Sequence, residues 1–396
     1  MKYWALRPAR KATPPRAQPI EMKKVHPNIG VFVSFSGQGG VEKIILTLAE
    51  GLASMGCAVD LLPVKARGLN IGEISPLINV RPLNASHTLT SLPALVGYLR
   101  RRRPDGLLSA KDRANQVALL AKSVARVPTR LVVRMGTTTS TALRSGGWLK
   151  KNGWNLPIRL LYPLADGIVA VSHGVAADLA AITRLPPERF TVIPNPVVSE
   201  RLSRMAREPV THPWFQPGMV PVFLGAGRLT RQKDFPTLIR AFALVQRAVP
   251  SRLVILGEGR DREALLKLAQ SLGIRDRVDL PGFVRNPYPF MAKASAFVLS
   301  SIWEGSPNVL TEAMALGTPV VATDCPSGPR EILGIGLYGP LVPMGDASAM
   351  AKAMKETLLN PPPRDSLIRA VEEYRVERSC LRYLDILTGA NRGKPE

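Results

Sequence analysis

Cysteine is scarce in this chain of 396 residues. Cys57, Cys325 and Cys380 stand far apart and odd in number, which argues against disulfides and a zinc site and for a reducing compartment. Aromatic residues reach only 6% and no nucleic-acid reading motif occurs, so no nucleic-acid partner is expected despite the charge. Acidic residues are outnumbered, 30 against 53 Lys and Arg, for a net charge of +23. No run of about 18 apolar residues occurs, so no membrane-spanning helix is expected. Of the four histidines, His26, His87, His173 and His212, none pairs with a plausible nucleophile. There is no Asp-x-Asp pattern, and no metal site is expected.

What is present begins with length. The chain is too long for one typical domain, and two is the natural expectation. With 45% hydrophobic and 21% charged residues the composition is globular. The first segment, 1–28, is basic, Pro-rich and without an apolar stretch of signal-peptide length, and reads as a disordered tail. Met22 is an alternative start. Residues 1–199 hold 27 basic against 10 acidic residues, and residues 200–396 hold 26 against 20. The amino-terminal half should therefore attract something anionic. The run Arg100–Arg103 sharpens this, although cations also suit a helix carboxyl end.

Strand-like and helix-like segments alternate along the chain. Strands are expected at Ile29–Phe35, Ala58–Val64, Leu131–Val133, Gly167–Val171 and Thr191–Ile193, with helices from Val41 to Met55 and from Val175. Between Asn195 and Met219 four prolines punctuate a polar stretch that reads as a linker. The pattern then restarts with strands at Val222–Gly225, Leu253–Leu256, Val278–Leu280, Ala296–Leu299 and Val320–Thr323. This predicts an α/β protein of two Rossmann-like, doubly wound domains, 29–199 and 200–375, facing a cleft. A final segment, 376–396, carries a helix that is expected to cross back to the first domain.

Glu304 and Glu312 are separated by seven residues and straddle a helix start near Pro307. Asn308 and Glu312 share a side by four-residue spacing. Glu312 would then face the crevice as a hydroxyl acceptor, as carboxylates hold riboses. The spacing alone also fits a glycosidase acid/base pair or plain surface charge. Arg228 and Lys233 follow the first strand of the second domain, a natural anion seat. Ser36-Gly37-Gln38-Gly39-Gly40-Val41-Glu42 looks superficially like a dinucleotide fingerprint, but Glu42 stands where the last glycine belongs, and Asp60 is the only acid near the next strand's end. The glycines still allow a backbone to approach a ligand closely.

Together these pieces resemble glycosyltransferase family 4, a retaining family with the two-domain GT-B fold. The similarity runs through Gly39-Gly40-Val41-Glu42, Ile193-Pro194-Asn195-Pro196-Val197, Gly227-Arg228-Leu229 with Gln232-Lys233, Leu256-Gly257-Glu258-Gly259, Pro281-Gly282-Phe283 and Glu304 to Leu333. The form of Asp324–Leu333 resembles the subgroup that builds lipopolysaccharide cores and lipid-linked glycans. The resemblance implies that Arg228 and Lys233 neutralise the donor diphosphate, Glu304 contacts the sugar and Glu312 binds the ribose. It implies that Val284 holds the base through its backbone, and that Gly39, Gly40 and the amides of Asn308 and Val309 approach the diphosphate. Ser306 departs from the common Glu-Gly-Phe-Pro form. Arg134-Met135-Gly136-Thr137-Thr138 lacks the histidine that some members carry near the acceptor, so no acceptor base is named.

The partners implied are a nucleotide sugar, with UDP favoured, and a glycan or glycolipid acceptor met by the basic first domain. No cofactor is implied. Trp148-Leu149-Lys150-Lys151 with Trp154 suits an anionic membrane surface, at the inner face of the cytoplasmic membrane. A sugar-nucleotide epimerase shares the architecture, a basic nucleic-acid-binding protein would use the charge, and an inactive homologue would bind the donor without turnover.

Overall fold

The computed structural model describes residues 26–34, 39–65, 74–142 and 148–390, with backbone alone for 141, 142 and 148–154. Most of the expected tail, Ser36–Gln38 of the glycine loop, and the side chains of Trp148–Lys151 and Trp154 lie outside the described residues.

Seven strands build the first sheet: β1 (Asn28–Val33), β2 (Ala58–Pro63), β3 (Ile78–Val80), β4 (Gly106–Ala110), β5 (Arg130–Met135), β6 (Gly167–Ala170) and β7 (Phe190–Val192). Six build the second: β8 (Val222–Ala226), β9 (Arg252–Leu256), β10 (Val278–Gly282), β11 (Ala296–Leu299), β12 (Val320–Thr323) and β13 (Leu341–Val342). The orders are β3-β2-β1-β4-β5-β6-β7 and β10-β9-β8-β11-β12-β13. Every pairing is parallel; Val31, for example, stands opposite both Leu61 and Leu108. Parallel neighbours need crossovers, here mostly helical, and those cover both faces, so the strands read as nearly continuous apolar runs.

On one face of the first sheet, Phe32, Leu107 and Val133 pack under the helices Leu92–Arg102, Asp112–Ala125 and His173–Thr183. On the other, Val31, Leu61 and Val132 pack with Leu48 and Leu52 of the helix Gly40–Ser54 and with Cys380, Tyr383 and Leu387 of the last helix, Val376–Thr388. The helix Val376–Thr388 thus returns to the first sheet. Strand order reverses between β1 and β4 in the first sheet and between β8 and β11 in the second. The loops at these reversals diverge and leave a crevice at the strand carboxyl ends.

Two expectations differ from the structure, and the weak dinucleotide reading is weakened further. The stretch 195–219 is not a free linker: it forms the helix Glu200–Met205 and buries Val197, Leu202, Val210 and Phe215 in the second domain. Strands β3, β4 and β13 carried no strand signal. The sequence of β4, Gly-Leu-Leu-Ser-Ala, has poor strand propensity, and burial between β1 and β5 overrides it. Asp60 is occupied structurally: it binds Arg81 at 2.8 Å, Arg102 at 3.6 Å and the Tyr98 hydroxyl at 3.1 Å. It is not free to serve a dinucleotide ribose. The run Arg100–Arg103 closes the helix Leu92–Arg102, and all four arginines are exposed.

Candidate active site

Arg228 is exposed in the turn that leaves β8, and Lys233 ends the short helical turn Arg231–Lys233 that follows. The lysine stem crosses Gly227 so closely that a Cβ there would lie 2.9 Å from Lys233 Cε, and Gly227 has φ +153°. Only glycine leaves that path open. Lys233 Nζ reaches Glu304 Oε1 at 2.5 Å, and Ser301 Oγ donates to the same oxygen at 2.6 Å. Glu304 is buried, in the loop between β11 and the helix Asn308–Ala315. The switch point thus brings together a lysine from the β8 loop and a glutamate from the β11 loop.

The helix Asn308–Ala315 begins after Pro307 with no side-chain cap, so its first amides are left for a ligand or solvent. Asn308 and Val309 supply two of them. Asn308 and Glu312 share one side, and both meet the first domain. Asn308 Oδ1 accepts from Asn195 Nδ2 at 2.7 Å. Glu312 Oε1 accepts from Lys43 Nζ at 3.0 Å and from the Tyr288 hydroxyl at 3.1 Å. Lys43 also donates to the Tyr288 hydroxyl. Burial works against the Lys43 ammonium, but the Glu312 carboxylate and the Tyr288 phenol oxygen outweigh it and raise its pKa above the usual lysine value. Burial, then the Glu312 charge, pushes the Tyr288 phenol up to about 12.

Gly39 and Gly40 start the helix Gly40–Ser54, and a Cβ on Gly40 would sit 3.7 Å from Asn308 Nδ2. Gly40 and the helix mouth at Asn308 therefore stand close together. Val284, just past β10, is partly buried against the second core.

Three strand ends of the first sheet hold the Glu304–Ser306 backbone. Thr138, after β5, donates to the Glu304 carbonyl at 3.3 Å; Ser172, after β6, to the Gly305 carbonyl at 2.7 Å; and Asn195, after β7, to the Ser306 carbonyl at 3.5 Å. Gly305 packs so tightly that a Cβ would lie 2.1 Å from the Gly136 carbonyl oxygen. The amides of His173 and Gly174 donate to the Glu331 carboxylate at 2.9 and 3.0 Å. His173 itself points to solvent. A pocket of about 400 Å³ opens beside this contact, lined by Gly174, Asp324, Cys325, Ser327, Arg330 and Glu331 among others.

Lys43, Tyr288 and Ser172 carried no site signal in the sequence, and Thr138 stood only within the segment Arg134–Thr138. Asn195 stood only within the Pro194-Asn195-Pro196 motif. Lys43 lies beside the glycine loop, which is the one clue a reader of the sequence had.

The family model for glycosyl transferases group 1 matches residues 211–374, and that for the glycosyl transferase 4-like domain matches residues 39–196. An N-acetylgalactosamine-N,N'-diacetylbacillosaminyl-diphospho-undecaprenol 4-alpha-N-acetylgalactosaminyltransferase of Campylobacter jejuni is 30% identical over 378 residues, 90% of this chain and 99% of its own. The lipopolysaccharide core biosynthesis glycosyltransferase LpsE of Rhizobium meliloti is 29% identical over 81% of this chain and 86% of its own. Among solved structures, the apo lipopolysaccharide outer core galactosyltransferase WaaB superposes with a TM-score of 0.70 at 20% identity, covering 92% of this chain and 99% of that one. Anabaena Alr3699/HepE in complex with UDP superposes with a TM-score of 0.73 at 19% identity, covering 91% and 99%. The two parallel sheets are thus those of the GT-B fold, and the chain belongs to the glycosyltransferases, with a 4-like first domain and a group 1 second domain.

Proposed function

We propose that the protein is a retaining glycosyltransferase that moves a hexose-type sugar from a nucleotide sugar, most naturally a UDP-sugar, to a lipopolysaccharide, lipid-linked or other surface-glycan acceptor. The observation that carries this reading is the partly buried Lys233–Glu304 pair beside the uncapped helix mouth at Asn308. In this reading Arg228, Lys233 and the amides of Asn308 and Val309 hold the diphosphate, with Gly39 and Gly40 closing over it. Glu312 takes the ribose hydroxyls, Glu304 the sugar, and the Val284 backbone the base. The relatives that act on an undecaprenol-linked glycan and on a lipopolysaccharide core support the acceptor class. The UDP complex of a structural neighbour supports the nucleotide.

Cleavage of the sugar C1–oxygen bond sends the bonding pair to the diphosphate and leaves positive character on the ring. Arg228, Lys233 and the helix dipole stabilise the growing negative charge, which is worth more in the transition state than in the ground state. Losing one such donor costs roughly 3 kcal/mol, about a hundredfold in rate. The acceptor oxygen then bonds to C1 on the same face, and its proton passes to the departing diphosphate. The two cations supply the counter-charge, so turnover is expected to survive EDTA.

The test is turnover of UDP-sugars with acceptor glycolipids from membrane extracts. Lys233→Ala and Glu304→Ala should each lose at least about a hundredfold in kcat. Donor turnover to a free sugar or isomer without acceptor, or UDP bound away from Arg228 and Lys233 in a soaked crystal, would sink the reading.

The membrane part of this proposal rests on the first domain. Leu156, Leu160 and Leu164 are 55%, 63% and 52% exposed. They follow at four-residue spacing along the helix Trp148–Leu161 and the turn after it, with Arg159 exposed beside them. Apolar and cationic groups on one face suit an anionic lipid interface.

A further inference from the structure

Arg134 is the largest fully buried side chain described, only 2% exposed. It stands at the carboxyl end of β5, on the face that carries Val132 and the last helix. Nη2 donates to Asn195 Oδ1 at 2.5 Å. Nε and Nη1 have no hydrogen-bond partner, and no carboxylate pairs with the guanidinium among the described residues. Its neighbours are the Tyr383 hydroxyl, which lies within hydrogen-bonding reach of the guanidinium and whose charge state that cation influences, and Gly136, whose Cβ position lies 3.1 Å from Nη1. A buried, unpaired cation is costly, and natural cores seldom keep one without a use for its charge.

The use lies one residue away. Asn195 passes the contact on: its Nδ2 donates to Asn308 Oδ1 at 2.7 Å. Asn308 opens the helix whose first amides have no side-chain cap. The chain Arg134–Asn195–Asn308 therefore runs from the core of the first domain to the helix mouth of the second. In a medium of low dielectric, an uncompensated guanidinium projects positive potential along such a path.

We propose that Arg134 is a positioning residue of the donor site: through Asn195 it fixes Asn308 at the helix mouth, and its unpaired charge adds to the potential that holds the diphosphate. This rests on the donor-site reading above. It makes the first domain a contributor to diphosphate recognition from within its core, in addition to the glycine loop at its surface. It also explains why residue 195 carries an amide. Asn195 accepts from Arg134 with its oxygen and donates to Asn308 with its nitrogen, which an aspartate cannot do.

Titration calorimetry of the full chain with UDP and with UMP tests this. The wild-type protein should prefer UDP through the second phosphate. In Arg134→Met that preference should shrink roughly tenfold, the scale of coupling through one intermediary, with UMP affinity changed by less than about twofold. Asn195→Asp keeps the volume and sets a carboxylate against the guanidinium. It should keep or raise Tm yet lose the same preference, so the test stands even where Arg134→Met fails to fold. Arg134→Lys, which keeps charge without the planar fork, should regain part of the preference.

Equal weakening of both nucleotides in the variants, or an unchanged UDP preference in Asn195→Asp, would overturn the proposal and leave Arg134 as a packing residue. A wild-type protein that does not prefer UDP would bring down the donor-site reading and this proposal together. A wild-type preference that the variants retain would bring down this proposal alone.

Discussion

Lys43 holds the Glu312 carboxylate from the opposite domain, so in the proposed function a ribose seated on that carboxylate has to share it or displace the lysine. The Lys43 side chain is half-exposed, and the net worth of such a pair is small. Lys43→Ala should therefore tighten UDP binding by roughly threefold, read by titration calorimetry. Weaker binding would mean that Lys43 holds the ligand and does not compete with it. The sign of the pH effect follows from the raised pKa. The pair contributes fully below the unfolded lysine value of 10.5 and fades only as pH rises through the higher folded value. The difference between wild type and variant should thus stay level from about pH 6 to about pH 9. Glu312 and Asn308 were legible in the sequence because a helix repeats every 3.6 residues and puts them on one side. Lys43 and Tyr288 were not: Lys43 lies 245 residues from Tyr288 and 269 from Glu312, and no local pattern connects them.

At the level of elements, the loop Glu304–Pro307 is held from outside its own domain. Thr138, Ser172 and Asn195 bind its consecutive carbonyls, which fixes the peptide planes that precede the helix mouth. Gly305 has no room for a side chain against the Gly136 carbonyl. Gly305→Ala should force the two surfaces apart, and misplacing the loop by about 1 Å should cost roughly a hundredfold in kcat. Both sheets should survive, since neither core contains that atom, so circular dichroism should remain native. Unchanged turnover would show that this contact is incidental to catalysis. Strands β11 and β12 were legible to the residue because both are short, β-branched or apolar runs bounded by polar turns. Strand β4 was not, because its glycine, serine and alanine form a strand only by burial between two neighbours. The stretch 195–219 misled for the opposite reason: its prolines look like a linker, yet Leu202 and Phe215 are anchored in the second core.

Across the whole molecule, charge is unequal. The first 199 residues carry 27 basic against 10 acidic side chains, and the exposed Arg100–Arg103 belongs to that half. No helix among the described residues is long and apolar enough to cross a membrane. Flotation with vesicles should recover the protein on anionic lipid at low salt, with recovery falling as salt rises past about 0.15 M. Equal recovery on neutral vesicles would remove the electrostatic part of this reading. The sequence by itself determined the repeated strand–helix alternation, the two parallel sheets it implies, and the basic loop and glutamate-bearing helix, because each is written in local periodicity and turn chemistry. Only the tertiary structure decided what faces what: Lys43 on Glu312, Arg134 behind Asn195, and three strand ends on one loop. Those contacts join residues that are remote in the chain, and they exist only once two separately packed cores meet across the cleft.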